Sequence, residues 1–343
     1  MKNNINAFLL CIFVFALIAN CSSNRVEQKR QVDSKIRVIL DTDANNELDD
    51  QHAIAYMLFN GDVFDVEGIT VNRTFSGGDI NQHFQEARRI VTLCGLDSQI
   101  DVYKGASGSF DEIKAHVNEF EFDGDDAVNF IIERASVASN RRLVLLPVGK
   151  LTNVALAIFK QPSIASKIRI VWLGSNYPEP GEYNQENDVA ALNYLLETDV
   201  NFEIALVRYG KPSGTDAVRV SVTEIETRMP GKGPQIARSV TGRHGNSFTN
   251  FGDYSVSLFQ HIDAHGIPPS RALYDMAVVA IVKNPDWASA TTIPAPRLVN
   301  GKWTNQPDNR RSIIIWDKYA SEQIIHDFYD RMDHYVLAKT GTM

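Results

Sequence analysis

A short apolar run that leads directly into a group of aspartates constrains this chain more than any other feature. The segment Arg37-Val-Ile-Leu40 ends at Asp41, and Asp43, Asp49 and Asp50 follow within ten positions. The β-branched run is typical of a buried strand, and a helix-like segment begins directly after it. Clustered carboxylates at the end of such a strand raise one another's pKa values unless a hard cation with oxygen ligands holds them. The sequence therefore predicts a metal site here, for Ca²⁺ or Mg²⁺.

Three other interpretations of the same segment make different demands on its spacing. A solvated turn before a helix also favours Asp, as a cap and through the helix dipole. An EF-hand loop counted from Asp41 needs Gly at its sixth position and Glu at its twelfth, where Asn46 and His52 stand. A phosphotransferase with a nucleophilic Asp before Asp-x-Thr needs a hydroxyl two residues after Asp43, where Asn45 stands. The EF-hand is excluded, the phosphotransferase is weakened, and the solvated turn stays open.

The extreme N-terminus predicts export. Lys2 precedes about thirteen apolar residues, from Ala7 to Ala19, which are too few for a permanent membrane span and fit a secretory signal. Cys21 follows at once, as in the cleavage box of bacterial lipoproteins, although Asn20 replaces the usual small residue; an ordinary signal with an incidental Cys is the alternative. We expect a signal peptide at 1–21, a polar tether at 22–34, and a periplasmic or cell-envelope location with anchoring through Cys21.

Composition excludes several other classes of protein. Of the cysteines Cys11, Cys21 and Cys94, the mature body keeps a single unpaired thiol, so neither disulfides nor a Cys-based metal site support the fold. The net charge of -8 and the lack of a basic run argue against binding to a nucleic-acid backbone. The body, 35–340, has no internal repeat and no change of composition, so we expect one domain.

Apolar β-branched runs alternate with amphipathic stretches of helical period along this body, which predicts an α/β fold with a mostly parallel central sheet and helices on both faces. The predicted strands are 37–40, 66–71, 143–148, 168–173, 202–207 and 312–316. The predicted helices are 51–59, 80–94, 153–159, 189–198, 272–282 and 321–332.

Polar clusters follow four of these strands, at 41–50, 72–74, 149–153 and 174–184. Ligands of such sheets bind at the carboxyl ends of the strands, in the loops that lead into helices. A single cluster is more often turn chemistry, but four clusters at one edge predict a composite pocket.

Four ordered motifs over more than two hundred residues resemble the inosine-uridine preferring nucleoside hydrolase family, the Ca²⁺-dependent N-ribohydrolases. They are Asp41-Thr-Asp43 with Asp49-Asp50, Pro147-Val-Gly-Lys-Leu-Thr152-Asn153, Glu182-Tyr183-Asn184 with Asp188 and with Asn176 six residues before the Glu, and Tyr274-Asp275 with Asn284-Pro285. The resemblance implies a Rossmann-like single domain that hydrolyses the N-glycosidic bond of ribonucleosides, as a homo-oligomer (dimer or tetramer).

The resemblance also implies roles for individual residues. Ca²⁺ would be held by Asp43, Asp50, Asp275 and the carbonyl of Thr152. Ribose hydroxyls would be bound by Asp49, Asn176, Glu182 and Asn184, and Tyr183 would stack on the base. We expect Asp43 to be the general base and Tyr274 to assist the leaving base, with Asp41 holding the loop.

Two departures from the family's pattern concern the loop at the metal and the handling of the leaving group. Five residues separate Asp43 from Asp49 where the family has three, and Tyr274 stands where many members have His. His244, in a polar segment upstream, is the next candidate for leaving-group help. Two alternatives therefore stay open: hydrolysis of another N- or O-glycosidic bond, and a lipoprotein that binds a nucleoside or sugar without chemistry.

Overall fold

Buried residues alternate between two sides of each central strand, and this alternation produces a layered fold. The structure is a computed structural model that describes residues 35–339. The expected signal peptide, Cys21 and tether lie outside the described residues. Within that range, no helix has the length and apolar character needed to cross a membrane.

The described elements follow one another as alternating strands and helices for most of the chain. The strands are β1 Ile36–Thr42, β2 Phe64–Val71, β3 Val102–Lys104, β4 Leu143–Pro147, β5 Ile168–Leu173, β6 Asn201–Ala205, β7 Arg219–Ser221, β8 Val240–Gly242, β9 Gly245–Phe248, β10 Ser270–Ala272, β11 Ser289–Pro294, β12 Arg297–Val299, β13 Lys302–Thr304 and β14 Ser312–Asp317. The helices are α1 Asp49–Leu58, α2 Ile80–Leu93, α3 Phe110–Ile113, α4 Asp125–Ser136, α5 Thr152–Lys160, α6 Tyr183–Asn187, α7 Val189–Glu197, α8 Val222–Arg228, α9 Phe251–Gln260, α10 Tyr274–Lys283 and α11 Ser321–Asp333.

The main sheet has eight strands in the order β11-β14-β6-β5-β4-β1-β2-β3. All neighbours in it are parallel except β11, which pairs antiparallel with β14 at one edge. The predicted mostly parallel sheet is therefore confirmed. Strand β1 pairs with β2 on one side and β4 on the other, so the strand order reverses beside it. Open α/β sheets bind ligands at such a switch point.

Successive side chains of the central strands enter two separate apolar cores, one on each face of the sheet. Val38, Leu40, Val144 and Leu146 pack in one core with α1, α2, α9, α10 and α11. The second core contains Ile39, together with residues of α4, α5 and α7. Strands buried on both faces are apolar at nearly every position, which explains why the sequence revealed them.

The sequence missed two strands of the main sheet, and both are at its edges. Strand β3 has three residues, all half-buried. Strand β11 is exposed along most of its length and therefore carries no apolar run. The helices α4 and α9 and the small hairpins were also not predicted.

Candidate metal and ligand site

Three aspartates meet where two helix N-termini approach the end of β1. Asp49 and Asp50 form the first turn of α1, and Asp275 lies in the first turn of α10. All three side chains are buried, and one carboxylate oxygen from each lies within 4.8 Å of the others. The partial positive charge of a helix N-terminus favours carboxylates at such positions.

Asp43, directly after β1, lines the same cavity but is not one of these three mutually close carboxylates. Its Oδ2 accepts hydrogen bonds from Thr74 Oγ1 at 2.5 Å and from Asn46 Nδ2 at 3.2 Å. Burial raises the pKa of Asp43 to about 6, against the lowering effect of these bonds. Asp43 therefore has the free carboxylate edge and the pKa of a group that can exchange a proton near neutral pH.

The other carboxyls are perturbed in the same direction. Burial, with the charge of Asp43, raises the pKa of Asp49 to about 7. Burial and the neighbouring aspartates raise the pKa values of Asp50 and Asp275 well above the ordinary range, and these two carboxyls hydrogen-bond to each other. Like charges this close are mutually repulsive, whereas a hard divalent cation would stabilise all of their ionised forms. An all-oxygen, carboxylate-rich donor set fits such a cation.

Thr152, the fourth metal ligand predicted from the sequence, begins α5. Its side chain is buried and donates from Oγ1 to Asp188 Oδ2 at 2.5 Å. The hydroxyl proton of Thr152 is therefore engaged within the protein. Thr152 is not among the residues that line the cavity.

Asp41 lies beneath the site and joins three elements. Its carboxylate accepts from Thr70 Oγ1 at 2.7 Å, from Asn153 Nδ2 at 2.7 Å and from Asn72 Nδ2 at 3.1 Å. Burial nonetheless raises its pKa to about 7. These contacts fix the ends of β1 and β2 against α5, so Asp41 holds the loops in place without facing the cavity.

Glu182 and Asn184 line the cavity on the side of β5. Glu182 caps α6 and accepts from the backbone N–H groups of Ser175, Asn184 and Gln185 at 2.8–3.0 Å. Asn184 Nδ2 donates to the carbonyls of Val148 at 2.8 Å and Leu173 at 3.1 Å. Since both amide hydrogens are used, Asn184 Oδ1 remains to accept from a ligand hydroxyl.

The two other residues predicted to bind substrate differ in their placement. The ring of Tyr183 lines the cavity, and its hydroxyl bonds with Ser76 Oγ at 2.7 Å and Ser76 N at 2.9 Å. Asn176 does not line the cavity, because its amide donates to the carbonyl of Gly181 and accepts from Tyr209 N at 3.3 Å. Asn176 thus orders the loop after β5.

The cavity that these residues share has a volume of about 330 Å³. Six carboxylates, two amides and three tyrosines are among the residues of its lining, together with a few other polar and apolar residues. The lining residues are Asp43, Asn46, Glu47, Asp49, Asp50, Ser76, Val148, Leu173, Glu182, Tyr183, Asn184, Val207, Tyr209, His265, Arg271, Tyr274 and Asp275.

Neither predicted leaving-group residue is free to donate a proton into this cavity. Tyr274 lines it, but its hydroxyl donates to Asp216 Oδ1 at 2.6 Å, and burial raises its pKa well above the ordinary value. His244 does not line the cavity; it stacks on His261 with ring centroids 4.5 Å apart and accepts from Arg243 Nε at 3.0 Å.

Sequence reasoning missed the pocket residues Glu47, Tyr209, His265 and Arg271. One signal was present, since Glu47 lies in the lengthened loop between Asp43 and Asp49. Its carboxylate forms an ion pair with Arg271. The partner is 224 positions away, so no local pattern could have revealed the pair.

Comparisons with known proteins agree with this geometry. A family model described as inosine-uridine preferring nucleoside hydrolase matches residues 38–324. A curated relative from Crithidia fasciculata, named inosine-uridine preferring nucleoside hydrolase, is 24% identical over 195 residues, which cover 55% of this chain and 58% of the relative. The chain therefore spans less than two thirds of that relative.

Solved structures share the fold. A plant nucleoside hydrolase has a TM-score of 0.66 at 18% identity and covers 87% of this chain and 98% of its own. A purine-preferring ribonucleoside hydrolase from Gardnerella vaginalis has a TM-score of 0.64 at 19% identity, with coverage of 86% and 98%. A hydrolase from Bacillus anthracis has a TM-score of 0.62 at 18% identity, with coverage of 88% and 100%.

Proposed function

Because the chain belongs to the inosine-uridine preferring nucleoside hydrolase family, we propose that it hydrolyses the N-glycosidic bond of ribonucleosides to a free base and ribose. The observation that supports this proposal most directly is that a buried carboxylate cluster and three tyrosines line the same cavity. Carboxylates and amides suit the hydroxyls of a sugar, and aromatic rings suit a flat base.

The proposed cofactor is Ca²⁺. Asp50 and Asp275 would hold it together with Asp43 and the backbone carbonyl of Thr152, and Asp49 is close enough to contribute an oxygen. A hard divalent cation of this kind neutralises the carboxylates and lowers the pKa of a bound water.

The sugar would be held by residues whose remaining acceptors face the cavity. Asn184 Oδ1 is such a group, because both amide hydrogens are used elsewhere. The Asp49 and Glu182 carboxylates can accept from ribose hydroxyls as well. Asn176 would contribute indirectly, through the loop that carries Glu182.

Asp43 is the proposed general base. Cleavage passes through an oxocarbenium-like sugar, so a water must lose a proton as it attacks. Asp43 can take that proton, because its carboxylate lines the cavity and the hydrogen bonds that it accepts from side chains all go to Oδ2. The hydrogen bonds from Thr74 and Asn46 fix its orientation. Tyr274 and Tyr183 would form walls for the departing base, with the proton of Tyr274 held by Asp216.

We also propose, from the sequence at 1–34, that the protein is exported and anchored through Cys21, and from the family resemblance that it forms a homo-oligomer (dimer or tetramer). Globomycin-sensitive processing and radiolabelled lipid incorporation into wild type but not Cys21→Ala would test the anchor. Light scattering of the soluble domain would give its mass.

The activity is tested with the chain lacking its signal peptide, incubated with Ca²⁺ and a panel of purine and pyrimidine nucleosides. Free ribose is measured as reducing sugar. Release from at least one nucleoside, abolished by Asp43→Asn, is expected. Tight nucleoside binding without any release would instead favour a binding lipoprotein, and release only from other glycosides would favour a different glycosidic bond.

A further inference from the structure

The side chain of Arg271, on β10, contributes a buried positive charge to the cavity. It is 12% exposed, forms an ion pair with Glu47 through Nη2, and donates from Nη1 to the carbonyl of Asp263 at 3.2 Å. Its Nε is buried and has no hydrogen-bond partner among the described residues. Buried donors without a partner are uncommon in folded proteins.

The charge of Arg271 distinguishes it from the groups that would bind the sugar. The carboxylate cluster, Glu182 and Asn184 account for the acceptors that a sugar needs. The rest of the lining includes tyrosines, and Arg271 is close enough to Tyr274 to interact with it electrostatically. Of the described residues that line the cavity, Arg271 alone carries a permanent positive charge.

Two of the hydroxyl donors that line the cavity are already engaged within the protein. The hydroxyl of Tyr274 donates to Asp216, and the hydroxyl of Tyr183 is bonded to Ser76. A departing base must nevertheless be stabilised, because the electrons of the broken bond remain on it. A fixed cationic donor stabilises such charge without giving up a proton.

We propose that Arg271 is a catalytic residue whose guanidinium hydrogen-bonds the leaving base and stabilises it as an anion; this inference rests on the proposed function. The bond between C1′ and the base nitrogen breaks, and both electrons remain on the nitrogen. The water oxygen forms the new bond to C1′, and its proton passes to Asp43. The base anion then takes a proton from solvent, and Asp43 releases its proton to solvent.

Glu47 is a positioning residue in this scheme. It belongs to the lengthened loop, which is held by the hydrogen bonds Asn45 N to His83 Nδ1 at 3.2 Å and Arg243 Nη1 to Asn45 O at 3.3 Å. The ion pair with Glu47 engages Nη2 and thereby fixes the orientation of the guanidinium. The longer loop thus brings in the partner that orients Arg271, in a chain whose Tyr274 hydroxyl is held by Asp216.

The test compares Arg271→Gln with Arg331→Gln on a nucleoside that the wild type hydrolyses and on a nitrophenyl riboside. Arg331 is a matched control, since it too pairs with a carboxylate, that of Asp62, and has a buried Nε without a partner, but it lies on α11 outside the cavity. Arg271→Gln is expected to lower kcat on the nucleoside by about 10²- to 10³-fold, the usual effect of removing one charge-stabilising donor. The nitrophenyl riboside, whose leaving group needs little help, should lose less than about tenfold. Arg331→Gln should keep wild-type rates on both.

Rescue separates a chemical role from folding damage. Guanidinium chloride at millimolar concentration should restore part of the nucleoside turnover of Arg271→Ala and have no effect on Arg331→Ala. Glu47→Gln should lower nucleoside turnover in the wild-type background and have no further effect in Arg271→Gln, because it acts through Arg271.

The outcomes distinguish the two proposals. If the wild type releases ribose but Arg271→Gln loses equally on both substrates, or guanidinium gives no rescue, the role of Arg271 is overturned and the proposed function stands. If the wild type releases ribose from no substrate, the proposed function fails and this inference fails with it.

Discussion

Asp43 and its neighbours show how position alone gives similar carboxylates different tasks. Asp41, two residues earlier, is saturated by donors from three elements and serves the structure. Asp43 accepts on one oxygen only and faces the cavity. Asp41 lies within β1, whereas Asp43 follows the end of the strand at Thr42, where the chain turns toward α1.

We expect Asp43→Asn to lower kcat by about 10²- to 10⁴-fold, the usual contribution of a general base. An amide keeps an oxygen for the cation and the sugar but cannot take the proton of water. Ribose affinity, measured by calorimetry with Ca²⁺ present, should change much less than kcat. A near-normal kcat would show that another group is the base.

The hydroxyl of Tyr274 is occupied by Asp216, and this changes what its removal should do. Tyr274→Phe should cost about 0.5–1.5 kcal/mol of the free energy of unfolding, the usual value of one hydrogen bond. Turnover on a nucleoside and on a nitrophenyl riboside should fall by similar, small factors. A selective loss on the nucleoside, measured in steady-state assays, would show that the phenol is the leaving-group acid that the sequence suggested.

At the scale of elements, the site depends on two helix N-termini that place like charges together. Helix α1 supplies Asp49 and Asp50, and α10 supplies Asp275. The apolar packing of α1 and α10 in one core offsets this repulsion. A ligand that binds only the folded state adds to its stability by mass action.

We therefore expect Ca²⁺ to raise the free energy of unfolding by about 2.7 kcal/mol at a hundred times its Kd. Asp275→Asn should remove most of this increment, because it deletes one of three converging carboxylates. Thermal unfolding with Ca²⁺ or with a chelator measures both values. An identical response of wild type and variant would place the cation elsewhere.

The sequence predicted the strands of the main sheet whose side chains are buried along nearly all of their length. Strands β1, β4 and β5 are buried on both sides and read as apolar runs, whereas β11 is exposed and β3 is short. The convergence of Asp43, Glu182 and Asp275 on one cavity followed from the strand-end rule and the family motifs. The pairing of Glu47 with Arg271 did not, because it depends on the course of two loops far apart in sequence.

At the scale of the whole molecule, the fold buries Cys94, the only cysteine among the described residues. Cys94 directly follows α2 and is buried in the apolar core, and burial raises its pKa far above the ordinary value. Thiolates, not thiols, react with alkylating agents. Cys94 in native protein should therefore resist iodoacetamide at neutral pH and react only on unfolding. Peptide mass spectrometry along a urea series would locate the label; modification well before the unfolding transition would reveal local opening at α2.

The direction of β1 also has a consequence for how the protein meets its surroundings. The strand starts at Ile36, next to the first described residue, and the aspartates of the site follow its other end. Its seven residues span about 23 Å at roughly 3.3 Å per residue. Any attachment made through the chain before Lys35 would therefore join the domain at the start of β1, the end of the strand that lies away from the aspartates of the site.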